Sequence, residues 1–238
     1  MPPQSKRKSE RVRGEWFIPG AILIGGLIIA FAVYTIHHRA TLLQSGNPTS
    51  VRPVDATDHV LGNPAAPVVV IEYADIDSEY SKVFQKVMEQ LMQIYGPQGN
   101  IAWVYRHFPL IGEDANAEEH AEAAECVASQ GGTSVFFKFI DTLQSAASGT
   151  NQFDPANYDA VVSSLGLSTT DFDTCLNART YQKRVGLDYQ NALDIGATGA
   201  PYSVLLVKGQ TPIIISGGLP YNAMKQVIDQ SIAKVLNQ

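Results

Sequence analysis

The sequence predicts an α/β fold with a helical block set into it, on three observations. A short apolar run at 67–73, a stretch with helical spacing and a second apolar run at 101–105 form a βαβ pattern. Residues 111–185 are alanine-rich and read as helical throughout. Strand signals then return at 202–207 and 213–215, ahead of a last amphipathic stretch. The order is βαβ, helices, ββα in a chain of 238 residues, long enough for one large domain.

Each element has its local reason. Pro67–Tyr73 (PVVVIEY) is continuously apolar up to Glu72, as a strand buried on both faces requires. Asp77 and Ser78 are both N-cap residue types, so the next helix is expected to start there. Its apolar positions Val83, Phe84, Val87, Met88, Leu91 and Tyr95 follow a helical period. Pro109 follows the second strand. In the helical block, Gly131-Gly132, the stretch 149–155 and Gly166 are breaks, giving about four short helices. Lys208-Gly209 is the turn of a hairpin, and Met224, Val227, Ile228, Ile232 and Val235 mark the final helix.

Charge divides the chain unevenly. Against an overall −6, residues 1–39 are net +4, so the remainder is net −10. An acidic remainder argues against a nucleic-acid partner. Residues 16–36 carry no charge. Twenty-one residues at helical rise span roughly 31 Å, the thickness of a bilayer core. The basic tail 1–15 outweighs Arg39 on the far side, which places the N-terminus in the cytoplasm and the bulk of the chain outside it. A cleavable signal peptide would have a shorter apolar core ending in small residues, whereas this span ends Tyr34-Thr35-Ile36-His37-His38-Arg39. The expectation is a single-pass signal anchor in the cell membrane and an extracytoplasmic domain at 58–238. Residues 37–57 are read as a linker, from the lack of an apolar period at 40–57.

Six blocks, in order, resemble the DsbA-like family of thiol–disulfide oxidoreductases. They are DHVLGNPAAPV at 58–68, EYADIDSEYSKVF at 72–84, YRHFPL at 105–110, AEAAEC at 121–126, FDTCL at 172–176 and GATGAP at 196–201. The resemblance implies a thioredoxin-like fold with a mixed four-stranded sheet and the helical insertion at 111–185. It also implies that Pro201 is a cis-proline beside the active-site helix. Where the family has Cys-x-x-Cys, this chain has Ser78-Glu79-Tyr80-Ser81. The family's chemistry needs a thiolate, stabilised at a helix N-terminus, to attack a disulfide. Serine supplies neither the thiolate nor the bond, so no catalytic residue is expected at these positions.

Other readings of the same residues are weaker or open. Ser78 as a hydrolytic nucleophile needs a base, and His59, His107 and His120 are scattered along the chain. Ser78 as a helix cap with Glu79 in the first turn is the simpler account. Asp75, Asp77 and Glu79 alternate and offer oxygens to a hard cation, but no metal is expected there. No cofactor is called for. Tyr80, Ala200 and Pro201 are read either as a groove that pairs with an extended peptide by β-augmentation or as parts of a turn the fold needs. Cys126 and Cys175 are the only cysteines. A structural disulfide, two buried thiols and a redox-active pair are all compatible with their positions.

Two function classes follow, beside a blander one in which the domain is only a spacer in a structural envelope protein. One is a membrane-anchored, redox-inactive domain that binds an extended polypeptide or a membrane protein partner, in the periplasm or at the cell surface, in support of envelope protein folding. The other is an enzyme of disulfide exchange, acting through Cys126 and Cys175 or with a separate oxidoreductase.

Overall fold

The computed structural model describes residues 47–112, 115–147 and 152–236. The expected basic tail and membrane span at 1–36 lie outside these residues. Among those described, no helix is long and apolar enough to cross a membrane.

Among the described residues, five strands form one mixed sheet, accompanied by six α-helices. In chain order they are β1 (His59–Gly62), β2 (Val68–Ala74), α1 (Glu79–Tyr95), β3 (Ile101–His107) and α2 (Ala117–Ala146). These are followed by α3 (Tyr158–Ser164), α4 (Thr169–Asn177), α5 (Gln182–Asp194), β4 (Tyr202–Val207), β5 (Ile213–Ser216) and α6 (Tyr221–Leu236). The sheet order is β1-β3-β2-β4-β5, with β2 and β3 parallel and every other pair antiparallel. Every residue of β2 and β3 is buried, as their largely apolar runs predict, Glu72 and Arg106 included.

The expected four-stranded sheet is corrected to five strands. The added strand, β1, is four residues long and sits at an edge against β3. It has no apolar run, so its sequence carries little strand signal.

The sheet separates two cores. On one face Val68, Val70, Trp103, Tyr105 and Leu205 meet Phe84, Met88 and Leu91 of α1 and Met224 and Ile228 of α6. On the other, Val69, Ile71, Tyr73, Val104 and Val204 meet Ala192 and Ile195 at the end of α5. Val83, expected in the buried stripe of α1, is 64% exposed. Ser81 and Gln85 take inward positions instead.

The helical block breaks where expected at Gly131-Gly132 and Gly166: α2 is two helices meeting at a kink at Gly132, where φ is +72°, and Gly166 lies between α3 and α4. A side chain is strained in that conformation, which is why the break falls on a glycine. α5 extends past 185, the expected end of the block. Its inward residues include Asp188 and Asn191, both buried, so an apolar periodicity misses it.

Residues 47–57, read as linker, pack on the domain. Asn191 Nδ2 donates to the Ser50 carbonyl at 2.8 Å, and Arg52 Nη2 donates to Asp58 and Asp188 at 2.8 and 3.0 Å. Arg106 Nη2 donates to the Pro53 carbonyl at 3.1 Å.

Candidate functional site

β2 ends at Ala74, and the chain turns through Asp75 and Asp77 into α1. The buried Asp75 carboxylate shapes this turn. Its Oδ1 accepts from the Asp77 amide at 2.9 Å and its Oδ2 from the Leu110 amide at 2.8 Å. Asp77 faces the opposite way and pairs with His120 Nδ1 at 2.7 Å, joining the turn to α2. Ser78 is then the N-cap of α1, as the sequence predicts. Its Oγ accepts the Ser81 amide at 3.3 Å.

Ser78 and Ser81 occupy different environments. Ser81 is buried, and its Oγ accepts the Asp75 amide at 3.3 Å. Ser78 is half-buried and donates its hydroxyl proton to the Ala200 carbonyl at 3.4 Å. Between them, Glu79 is exposed beside Lys82 at 3.7 Å, and Tyr80 is 77% exposed.

The second wall is the loop before β4. The Ala200–Pro201 peptide bond is cis, as the resemblance implies. The Pro201 carbonyl accepts the Gly217 amide at 3.0 Å, which ties this loop to the end of β5. Gly218 closes the corner. A Cβ there would stand 3.2 Å from Phe84 Cβ and 3.6 Å from Pro201 Cγ, so any larger residue would have Phe84 shift by a few tenths of an ångström. Together Tyr80, Ala200, Pro201, Gly217 and Gly218 line a shallow cleft of about 280 Å³. The structure thus brings Tyr80, Ala200 and Pro201 to one place, beside Ser78.

It does not bring a base to Ser78. Nε2 of His59 and Nε2 of His107 lie 3.0 and 3.1 Å from the same Glu125 oxygen, while His120 serves Asp77. Burial alone would raise the Glu125 carboxyl, but its bonds to His107 and His59 outweigh that and hold it well below the usual carboxylate range. Asp75, Asp77 and Glu79 have three separate sets of partners and do not converge.

Cys126 and Cys175 form a disulfide between α2 and α4, with Cα atoms 5.9 Å apart. Cys126 is buried. Of the three open readings of these residues, the bonded one is the one observed.

β2 also buries a carboxylate to which the sequence assigns no role. Glu72 on β2 is fully buried, paired in register with Tyr105 on β3 and Ser203 on β4. The Trp103 indole donates to its Oε2 at 2.8 Å. Burial pushes its carboxyl up to about 8, and the Trp103 hydrogen bond offsets only part of that rise. The signal was present: a single carboxylate interrupts the apolar run of β2.

The family profile described as Thioredoxin matches residues 55–229. Among solved structures, Wolbachia pipientis alpha-DsbA1 superposes with a TM-score of 0.68 at 21% identity, covering 80% of this chain and 98% of that one. Oxidised BdbD from Bacillus subtilis gives 0.65 at 19% identity, covering 76% and 96%. Among curated proteins, Na(+)/H(+) antiporter NhaA 1 of Mycobacterium sp. (strain KMS) is 31% identical over 153 residues, 63% of this chain and 24% of that protein. Na(+)/H(+) antiporter NhaA 3 of Salinispora tropica is 31% identical over 150 residues, 63% and 22%. The chain thus spans about a quarter of the length of these curated relatives.

Proposed function

The chain belongs to the thioredoxin family and has the DsbA-like form of its fold, and from that premise we propose that it binds extended polypeptide without redox chemistry at the usual site. One observation carries the reading. Hydroxyls stand at Ser78 and Ser81, the first and fourth positions of the helix start, while the cleft of Tyr80, Ala200 and Pro201 beside them is intact. Tyr80, which lines that cleft, and Val83, one helical turn along α1, are both exposed and offer an apolar surface.

The alternative, disulfide exchange through Cys126 and Cys175, is disfavoured by their setting. The bond joins two helices of the insertion, and Cys126 is buried. A reactive pair needs an exposed thiolate in an electropositive setting.

The anchor at 16–36 and the extracytoplasmic location belong to this proposal. So does a membrane protein as partner, which the similarity to part of two Na(+)/H(+) antiporters supports.

The test uses the full-length chain in detergent micelles and reduced, carboxymethylated lactalbumin, an unfolded polypeptide with its thiols blocked. Saturable binding that weakens at least about tenfold in Tyr80→Ala supports the proposal. No detectable binding by the unaltered chain sinks it.

A further inference from the structure

The Ser78 hydroxyl has one proton and spends it on the wall opposite its own helix. It donates to the Ala200 carbonyl and accepts the Ser81 amide, so a single side chain links the start of α1 to the cis-proline loop. Among the described residues the Ala200 amide has no partner, and Ala200 is half-exposed. Ala200 therefore presents an open N–H and a carbonyl covered by a small, rotatable donor. An extended peptide pairing with this loop brings its own N–H and C=O groups to the same backbone.

We propose that Ser78 is a recognition residue of the cleft, whose hydroxyl donates to the Ala200 carbonyl when the cleft is empty and to a main-chain carbonyl of the bound polypeptide when it is filled. The ligand class is then an extended polypeptide read through its backbone, with an apolar side chain against Tyr80 and no requirement for cysteine. A thiol is a weak donor at best, so serine at this position supplies an interaction that a cysteine would not. The inference rests on the peptide-binding reading above and adds to it the residue that reads the backbone.

The rival account is that Ser78 only caps α1. Three substitutions separate the roles. Ser78→Thr keeps both cap and donor. Ser78→Asp keeps the cap, since aspartate is among the best N-cap residues, and has no proton to donate. Ser78→Ala keeps neither. The probe is fluorescein-labelled, reduced and carboxymethylated lactalbumin, titrated with the full-length chain in detergent micelles. Hydrogen exchange of the Ser81 amide reports the cap in each variant.

Ser78→Thr should bind within about twofold of the unaltered chain, while Ser78→Asp and Ser78→Ala should each lose about tenfold. The Ser81 amide should stay protected in the threonine and aspartate variants. Ser78→Asp binding as tightly as the unaltered chain overturns the inference, as does Ser78→Thr falling as far as Ser78→Ala. In both cases polypeptide binding itself stands. Absence of binding by the unaltered chain overturns the inference and the proposed function together.

Discussion

Arg106 and Asp58 form a bidentate ion pair with no solvent exposure on either side chain: Nε reaches Oδ1 at 2.9 Å and Nη2 reaches Oδ2 at 3.0 Å. Arg106 Nη1 also donates to the Tyr73 hydroxyl at 2.9 Å, and Asp58 accepts from Arg52. This network joins β2, β3 and the segment 47–57. Burial opposes both charges, and each is kept ionised by its partner: Arg106 holds the Asp58 carboxyl below the usual range.

Removing the Asp58 charge leaves the Arg106 guanidinium buried with only neutral hydrogen-bond partners. Asp58→Asn should therefore cost about 3–5 kcal/mol, and Arg106→Lys should also destabilise, because an ammonium cannot bridge both carboxylate oxygens. Urea unfolding of each variant checks this. A loss under about 1 kcal/mol in Asp58→Asn would mean that the pair is not structurally required.

Glu72 sets a pH dependence of the opposite kind. Its folded carboxyl titrates near 8, and an unfolded one near about 4.3. Between those values the folded state holds a proton that the unfolded state has released. Stability therefore falls as pH rises through this window and levels off above pH 8. Glu72→Gln keeps an acceptor for the Trp103 indole and carries no charge. The glutamine variant should lose this slope and be the more stable protein by a few kcal/mol at pH 8. Urea midpoints at pH 5, 6.5 and 8 measure it. Parallel curves for the two proteins would contradict the assignment.

The Cys126–Cys175 bond closes a span of 49 positions. The loop-entropy account gives about 4 kcal/mol for a loop of that size as an upper figure. Cys126→Ala with Cys175→Ala, or the unaltered chain under reductant, should unfold at clearly lower denaturant. The double variant should keep polypeptide binding, since the bond lies in the helical insertion. Identical unfolding midpoints with and without reductant would remove its structural role.

Much of the fold was legible because it rests on local patterns. The largely apolar runs of β2 and β3 and the Ser78 cap appear where the sequence places them. What escaped was non-local. β1 is specified by pairing with β3 rather than by its own four residues. α5 hides its inward face behind Asp188 and Asn191, whose side-chain hydrogen-bond partners lie more than 80 positions away along the chain. Of the site, the positions of Ser78, Ser81, Tyr80 and Pro201 were visible through resemblance to a family. The bond from Ser78 to Ala200 spans 122 positions, and no local signal encodes it.

The central claim is that the site keeps its fold and cleft and lacks only sulfur. Insulin reduction by the full-length chain, run beside the Ser78→Cys, Ser81→Cys double variant, tests it most directly. The account predicts an inert native chain and a double variant that reduces insulin, because both serines occupy the helix start that would activate a thiol. Insulin reduction by the native chain, abolished in Cys126→Ala with Cys175→Ala, would contradict it and assign exchange to the insertion disulfide.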